Sequence, residues 1–215
     1  MIGRPNVGKS TLINRIMGEK LVITSDKPQT TRNAIRCIHT DDEAQMIFID
    51  TPGITRAKNK LGDYMVKAAE NTFSDVDVVV YLIEPDQKPG PGDKHILELV
   101  KKTKRPVILV INKIDLIPKE EILGVIGSWK DLADWTAIIP LSASKGDGTD
   151  ELLTVVRQHL PEGPQYFPED MLMDQPERFI VSELIREKIL RLLKDEVPHG
   201  IAVEIDSMKE RPGKD

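Results

Sequence analysis

The chain has 215 residues, a formal net charge of −5, 40% hydrophobic but only 4% aromatic residues, and one cysteine. That length suits one full α/β domain with a small appendage, and the core has to come from Ile, Leu and Val. The charge excludes a general attraction to nucleic acid, the lone Cys37 excludes an internal disulfide, and no run of about eighteen apolar residues offers a membrane-spanning helix.

The chain opens on Met1-Ile2 and then Gly3-Arg4-Pro5-Asn6-Val7-Gly8-Lys9-Ser10, which fits G-x-x-x-x-G-K-[ST] at every fixed position. Glycines let backbone N–H groups turn inward around a phosphate chain. Gly3, Asn6, Val7, Gly8, Lys9, Ser10 and Thr11 are therefore the candidate phosphate-binding residues. Lys9 reaches the outer phosphates, and the Ser10 hydroxyl suits Mg²⁺. A helix from Lys9 to Met17 points its positive dipole end at the same place. A phosphate loop leaves the end of a buried strand, so the first strand is expected to be truncated, with residues missing upstream of Met1. No secretory leader is expected at that end.

Gly18 to Asn33 reads as a polar loop able to close over a γ-phosphate, with a threonine completing the Mg²⁺ shell. Thr31 is preferred over Thr30. Ala34–Thr40 and Ala44–Asp50 read as a hairpin around a solvated Asp41-Asp42-Glu43 turn. It ends in Asp50-Thr51-Pro52-Gly53. Asp50 at a strand's carboxyl end suits Mg²⁺ bound through water, and the Gly53 amide suits the γ-phosphate. Residues 54–64, with Arg56, Lys58, Asn59, Lys60 and Gly62, read as a mobile segment.

Val76–Ile83 and Pro106–Ile111 are apolar runs of the kind a strand covered on both faces carries. A helix near Asp93–Lys102 lies between them. The second run ends in Asn112-Lys113-Ile114-Asp115, read as the base reader. Asp115 accepts from N1–H and the 2-amino group of guanine, Asn112 braces the loop, and the Lys113 stem lies along the base. Adenine would leave Asp115 unpaired, which disfavours an ATPase, and Asp115→Asn should shift preference toward xanthine nucleotides. Ile122–Leu132 reads as a helix and Ala137–Leu141 as a strand leading to Ser142-Ala143-Ser144, whose N–H groups suit guanine O6. Thr149 is expected to cap a helix to about His159. Alternating strands and helices predict a mostly parallel sheet with helices on both faces and the ligand at the strands' carboxyl ends.

Pro161, Gly163, Pro164 and Pro168 mark a boundary. Beyond it, Ile180, Leu184, Ile185, Ile189, Leu192 and Leu193 form a helical apolar face within Arg178–Lys194, supported by a Glu187–Arg191 pair. Ile201, Val203 and Ile205 alternate with polar positions and small Ala202, as in a half-buried strand. The expected divisions are 1–160 for a nucleotide domain, 161–177 for a linker, and 178–215 for the start of a second, incomplete domain. His39, His95, His159 and His199 fit no metal spacing, Cys37 reads as a small core residue, and Trp129 and Trp135 read as packing.

Together, Gly3–Thr11, Thr30–Arg32, Asp50–Gly53, Asn112–Asp115 and Ser142–Ser144 resemble the GTPases of the Ras-like superfamily. Gly-Arg-Pro-Asn-Val-Gly-Lys-Ser-Thr with Gln29-Thr30-Thr31-Arg32 narrows this to the bacterial translation-factor-related branch of P-loop GTPases. The Leu160–Asp170 linker and Ile185-Arg186-Glu187-Lys188 are similar to the Era family, bacterial GTPases with a C-terminal KH domain that binds RNA. That resemblance implies a Ras-like G domain followed by a partial α+β KH-like domain. It implies GTP/GDP and Mg²⁺ as ligands, with Lys9, Thr31 and Gly53 in catalysis and Ser10, Thr31 and Asp50 on the metal. It also implies potassium held with help from Asn6. The implied role is assistance in small-ribosomal-subunit assembly, binding small-subunit ribosomal RNA. The implied setting is a cytoplasmic monomer with peripheral association at the inner face of the membrane.

One departure concerns the RNA grip. A KH domain uses a G-x-x-G loop between helices, yet none follows Glu204. The one match, Gly124-Val125-Ile126-Gly127, lies inside the nucleotide domain and reads as chance. Residues 177–215 carry eight Lys/Arg against nine Asp/Glu, a net of −1. A second departure concerns hydrolysis. Ras-type enzymes place a water-orienting glutamine after Asp-x-x-Gly, but Ile54 follows Gly53, and no glutamine occurs from Asp50 through Tyr64. Slow intrinsic turnover, accelerated externally, is expected. Three classes remain open: a GTPase switch, a guanine-nucleotide sensor with negligible hydrolysis, and an RNA-binding protein with a vestigial loop. Phosphate release with and without ribosomal subunits separates the first two, and absence of GTP binding marks the third.

Overall fold

The computed structural model describes residues 1–25, 30–31, 34–54, 75–86, 88–192 and 201–209. The expectations placed on Gln29, Arg32, residues 55–64, Leu193 and His199 lie outside them. The strands are β1 (Ile2–Gly3), β2 (Ile35–Thr40), β3 (Gln45–Asp50), β4 (Val79–Ile83), β5 (Val107–Ile111) and β6 (Ala137–Pro140). The helices are α1 (Lys9–Met17), α2 (Pro91–Val100), α3 (Lys119–Trp129), α4 (Thr149–Arg157) and α5 (Glu177–Leu192).

β1, β4, β5 and β6 form one parallel sheet in that order. Every residue of β4 and β5 is buried, because helices cover both faces. Burying each such aliphatic side chain contributes roughly 1.5–3 kcal/mol. Alternate residues face opposite layers. Val80 and Leu82 join Leu12 and Ile13 of α1 and Leu152 and Val156 of α4. Val79, Tyr81 and Ile83 join Ile96 and Leu97 of α2 and Val125 and Trp129 of α3.

β2 and β3 pair antiparallel from Ile35↔Asp50 to Thr40↔Gln45. Their turn is organised by Asp41, whose Oδ1 accepts from the Glu43 and Ala44 N–H groups at 2.9 Å each. Arg157 closes over it through ion pairs to Asp41 and Glu43. The hairpin lies beside β1: the Met1 amino group donates to Ile49 O at 2.7 Å, and Thr51 Oγ1 donates to Met1 O at 2.7 Å. β1, β3, β5 and β6 thus deliver their carboxyl ends to one edge.

The segment after α4 is laced along the hairpin. Gln45 Oε1 accepts from the Tyr166 and Phe167 N–H groups at 2.9 Å each, Ile38 N–H donates to Leu172 O at 2.9 Å, and Met173 bridges Cys37. Cys37 is buried in the core.

Three local expectations are corrected. Thr149 does not cap α4; it is the first helical residue, and its buried hydroxyl makes no hydrogen bond among the described residues. The cap is Gly148 at φ 78°, where a Cβ would lie 2.7 Å from Pro140 O, so the turn requires glycine. The apolar stripe proposed for α5 is not its buried face: Arg186, Glu187 and Leu190 are buried, while Ile185 and Leu192 are exposed. Residues 201–205 form no strand. Their exposure alternates as expected, but no ladder among the described residues includes them.

Candidate nucleotide site

The turn after β1 wraps a cavity of about 410 Å³ lined by Pro5, Asn6, Gly8, Lys9, Ser10 and Thr11 on one side. Thr24, Thr30, Thr31, Gly53, Lys113 and Arg191 line the others. Gly8 sits at φ +98°, and a Cβ there would lie 2.2 Å from Asn112 Nδ2. Only glycine accepts that backbone and that neighbour together. Gly53 is as tightly placed: its Cβ would lie 2.7 Å from Pro5 N, which brings the Asp50–Gly53 turn onto the loop. Gly3 abuts Leu82 O, and Val7 is wholly buried beneath the loop. Asn6 takes φ 66°, a left-handed conformation that asparagine tolerates.

Lys9 is buried and donates to Gly3 O at 3.2 Å and Arg4 O at 2.9 Å. Burial pushes its pKa down to about 8, against the opposing pull of Asp50. Asp50 is buried too, and burial raises its pKa despite Lys9 and the Ser10 hydroxyl.

Three side-chain oxygens meet beside this pair. Ser10 Oγ donates to Asp50 Oδ2 at 2.8 Å, and Thr31 Oγ1 lies 3.4 Å from each. Adjacent ligands on an octahedral Mg²⁺ at 2.0–2.1 Å stand about 2.9 Å apart, so the spacing fits a divalent cation. The other carboxylate oxygen, Asp50 Oδ1, is buried without a hydrogen bond among the described residues. A buried orphan acceptor beside hydroxyl ligands suits a cation or its water. Ser10, Thr31 and Asp50 are thus brought together in an arrangement that a divalent cation would fit.

The base reader is tied to the phosphate loop through one side chain. Asn112, at the end of β5 and buried, donates from Nδ2 to Val7 O at 2.7 Å and accepts at Oδ1 from the Ala143 N–H at 2.9 Å. The Ala143 amide thus serves this brace. Lys113 takes φ 63° and pairs with Glu84 at the end of β4. Asp115 Oδ1 accepts from Ser142 Oγ at 2.6 Å and Oδ2 from Ser144 Oγ at 3.4 Å. The Ser142 hydrogen bond holds the Asp115 carboxyl below the usual carboxylate range, so it is ready to accept. Arg15 of α1 secures the same loop from below, donating to Ala143 O at 3.3 Å and Ser144 O at 2.5 Å.

Ile54, where a water-orienting side chain was sought, is 1% exposed and packs into the core. Gly124 and Gly127 lie within α3 and do not form a loop.

Sequence reasoning missed two groups. Arg4, inside the phosphate loop, ion-pairs with Asp86 at 2.6 Å and the buried Asp93 at 3.1 Å, linking the loop to α2. On α5, Arg186, Glu187 and Arg191 meet the loop carrying Thr24 and Thr30. The Glu187–Arg191 pair is present at 2.7 Å, yet Glu187 points inward.

Comparison with known proteins agrees with this geometry. A family described as "50S ribosome-binding GTPase" matches residues 1–113. GTPase Era of Clostridium botulinum (strain Kyoto / Type A2) is 56% identical over 210 residues, 98% of this chain and 71% of that protein. GTPase Era of Clostridioides difficile (strain 630) is 52% identical over 216 residues, 100% of this chain and 73% of that one. Among solved structures, Era in complex with MgGDPNP and nucleotides 1506–1542 of 16S ribosomal RNA superposes with a TM-score of 0.87. It is 42% identical, covering 92% of this chain and 67% of that one. A variant of Aquifex aeolicus Era bound to GDP and AlF4⁻ gives 0.86 at 41% identity, over the same shares of the two chains. No helix among the described residues is long and apolar enough to cross a membrane. With its candidate phosphate, metal and guanine residues gathered at one sheet edge and its likeness to these relatives covering nearly the whole chain, the chain belongs to the Era family of GTPases.

Proposed function

We propose that the chain is a GTP-hydrolysing switch that uses Mg²⁺, works in the cytoplasm, and assists small-ribosomal-subunit assembly while binding small-subunit rRNA. The observation that carries the nucleotide reading is the span of Asn112 from Val7 O to the Ala143 N–H. It ties the proposed phosphate grip to the proposed guanine reader. The relative solved with MgGDPNP and the 16S segment supports both the nucleotide and the RNA sides of the proposal. The matching family description speaks of the 50S subunit, but that match ends at residue 113. The rRNA-bound relative covers 92% of the chain and weighs more. The division into 1–160, 161–177 and a KH-like beginning at 178–215 remains part of the proposal. The peripheral membrane association gains no support among the described residues and is not part of it.

The reaction is GTP plus water to GDP plus phosphate, and it needs positioning and charge neutralisation more than covalent chemistry. The loop amides from Gly3 to Thr11 cradle the phosphates. Lys9 leaves the carbonyls of Gly3 and Arg4 for a phosphate oxygen. The Gly53 amide and Thr31 close on the γ-phosphate. Ser10, Thr31 and, through water, Asp50 would hold Mg²⁺, which would supply positive charge to offset that building on the phosphate oxygens. Asp115, oriented by Ser142, takes the guanine edge, with the Lys113 stem along the ring. Asn6 lines the cavity, and in this reading it would help hold a potassium ion. Faster single-turnover hydrolysis in K⁺ than in Na⁺ is expected, and equal rates would remove that role.

Because Ile54 is committed to the core, no side chain at that position orients the water, and turnover by the chain alone is slow. The same observation favours the second reading, a guanine-nucleotide sensor that gates ribosome binding with negligible hydrolysis. Phosphate release from GTP, measured with and without small ribosomal subunits, decides. A slow basal rate raised by the subunit supports the switch, negligible release in both supports the sensor, and absence of GTP binding overturns both.

A further inference from the structure

The loop carrying the metal-ligand candidate Thr31 is held from outside the nucleotide domain. Arg186 of α5 is 3% exposed, and its Nη2 donates to Thr30 O at 2.5 Å. Its guanidinium is aimed by Glu183, one turn earlier, which accepts from Nε at 2.7 Å and from Nη2 at 2.6 Å. The buried Nη1 has no hydrogen-bond partner among the described residues. A buried cation with an unmet donor is poor value as a purely stabilising device. The grip falls on one functional atom group: the Thr30 carbonyl and the Thr31 N–H share a planar peptide unit. Fixing that carbonyl fixes the plane from which the Thr31 side chain departs. Thr31 Oγ1 stands 3.4 Å from both Ser10 Oγ and Asp50 Oδ2. A second clamp holds the loop's other side, where Glu187 accepts from the Thr24 N–H and hydroxyl at 3.2 Å each.

We propose that Arg186 is a positioning residue for the triphosphate state: by holding the Thr30–Thr31 peptide it presents the Thr31 hydroxyl to the metal and γ-phosphate. It acts through Thr31 and does not touch the nucleotide. GDP has no γ-phosphate for the closed loop to engage, so Arg186 strengthens Mg²⁺-dependent GTP binding selectively. This rests on the guanine-nucleotide reading above.

The test uses the full chain and two fluorescent nucleotides, GDP and a non-hydrolysable GTP analogue, titrated across Mg²⁺ concentrations. Loss of a charge-assisted hydrogen bond predicts about tenfold weaker binding of the GTP analogue by Arg186→Ala. The Mg²⁺ midpoint rises for the analogue, and GDP affinity is unchanged. Arg186→Lys, which keeps the charge without the fork, recovers part of the loss. Arg178→Ala, at the exposed start of the same helix, leaves both affinities as they were. If Arg186→Ala merely loosened the fold, both nucleotides would weaken alike, and that equal loss overturns the proposal, as does an unchanged ratio. Failure of the unaltered chain to bind either nucleotide overturns the guanine reading itself, and this inference with it.

Discussion

At the scale of single residues, two positions carry the sharpest consequences. Gly8 has both a left-handed backbone and the Asn112 amide 2.2 Å from its missing Cβ. Gly8→Ala therefore displaces Asn112 and breaks its bonds to Val7 and Ala143 together. A destabilisation of roughly 2–4 kcal/mol is expected from strain and the unmade buried hydrogen bonds. Nucleotide affinity should fall more than stability alone explains, as denaturant unfolding and nucleotide titration of the same variant would reveal. Ile54 gives the opposite lesson. Restoring a glutamine there looks like a way to recover a water-orienting group. The site is 1% exposed among Ile2, Val79 and Tyr81, however, so the amide would enter the core. Ile54→Gln is expected to cost about 2–4 kcal/mol and leave the hydrolysis rate no faster. A faster rate in a phosphate-release assay would contradict the view that this backbone buries its residue 54.

At the scale of elements, the sheet was legible because its physics is local. Val79–Ile83 and Val107–Ile111 are apolar on both faces, and each motif sits where its strand ends. The start of α4 was not legible, since Thr149 has the ordinary chemistry of a cap while the left-handed turn at Gly148 depends on Pro140 across the fold. α5 was misread for a related reason. Charged helix positions are exposed by default, and nothing in the spacing of Ile180, Leu184 and Ile189 announces that a polar loop will claim Arg186 and Glu187. That charged face makes the docking of α5 pH-dependent. Burial raises the pKa of Glu187, but Lys20, the Thr24 amide and Arg191 outweigh it, so the folded value lies below the ordinary one. A carboxyl depressed in the folded state stabilises above its unfolded value, about 4.3, and that contribution is lost as pH falls through the lower folded value. Docking should therefore hold from pH 7 to about 5 and weaken below. Glu187→Gln should cost roughly 1–3 kcal/mol at pH 7 and flatten the acid slope, both read from urea unfolding at several pH values.

At the scale of the whole molecule, α5 and the nucleotide site are joined by a thermodynamic requirement rather than by a contact alone. If Arg186 raises affinity for GTP over GDP about tenfold, GTP must favour the docked helix over the undocked one by the same factor. No second conformation has to be specified for this to hold, because the coupling is one free energy read from two ends. Exchange of backbone amides reports the docked fraction directly. With a non-hydrolysable GTP analogue and Mg²⁺, amides of Glu177–Leu192 should exchange about tenfold more slowly than with GDP. Amides of β4 and β5, buried in the interior of the sheet, should respond equally to the two nucleotides. Arg186→Ala should abolish the difference in α5 while leaving the two strands unchanged. Equal protection of α5 under both nucleotides in the unaltered chain would mean that the helix merely rests against the loop and carries nothing of the γ-phosphate's presence beyond it.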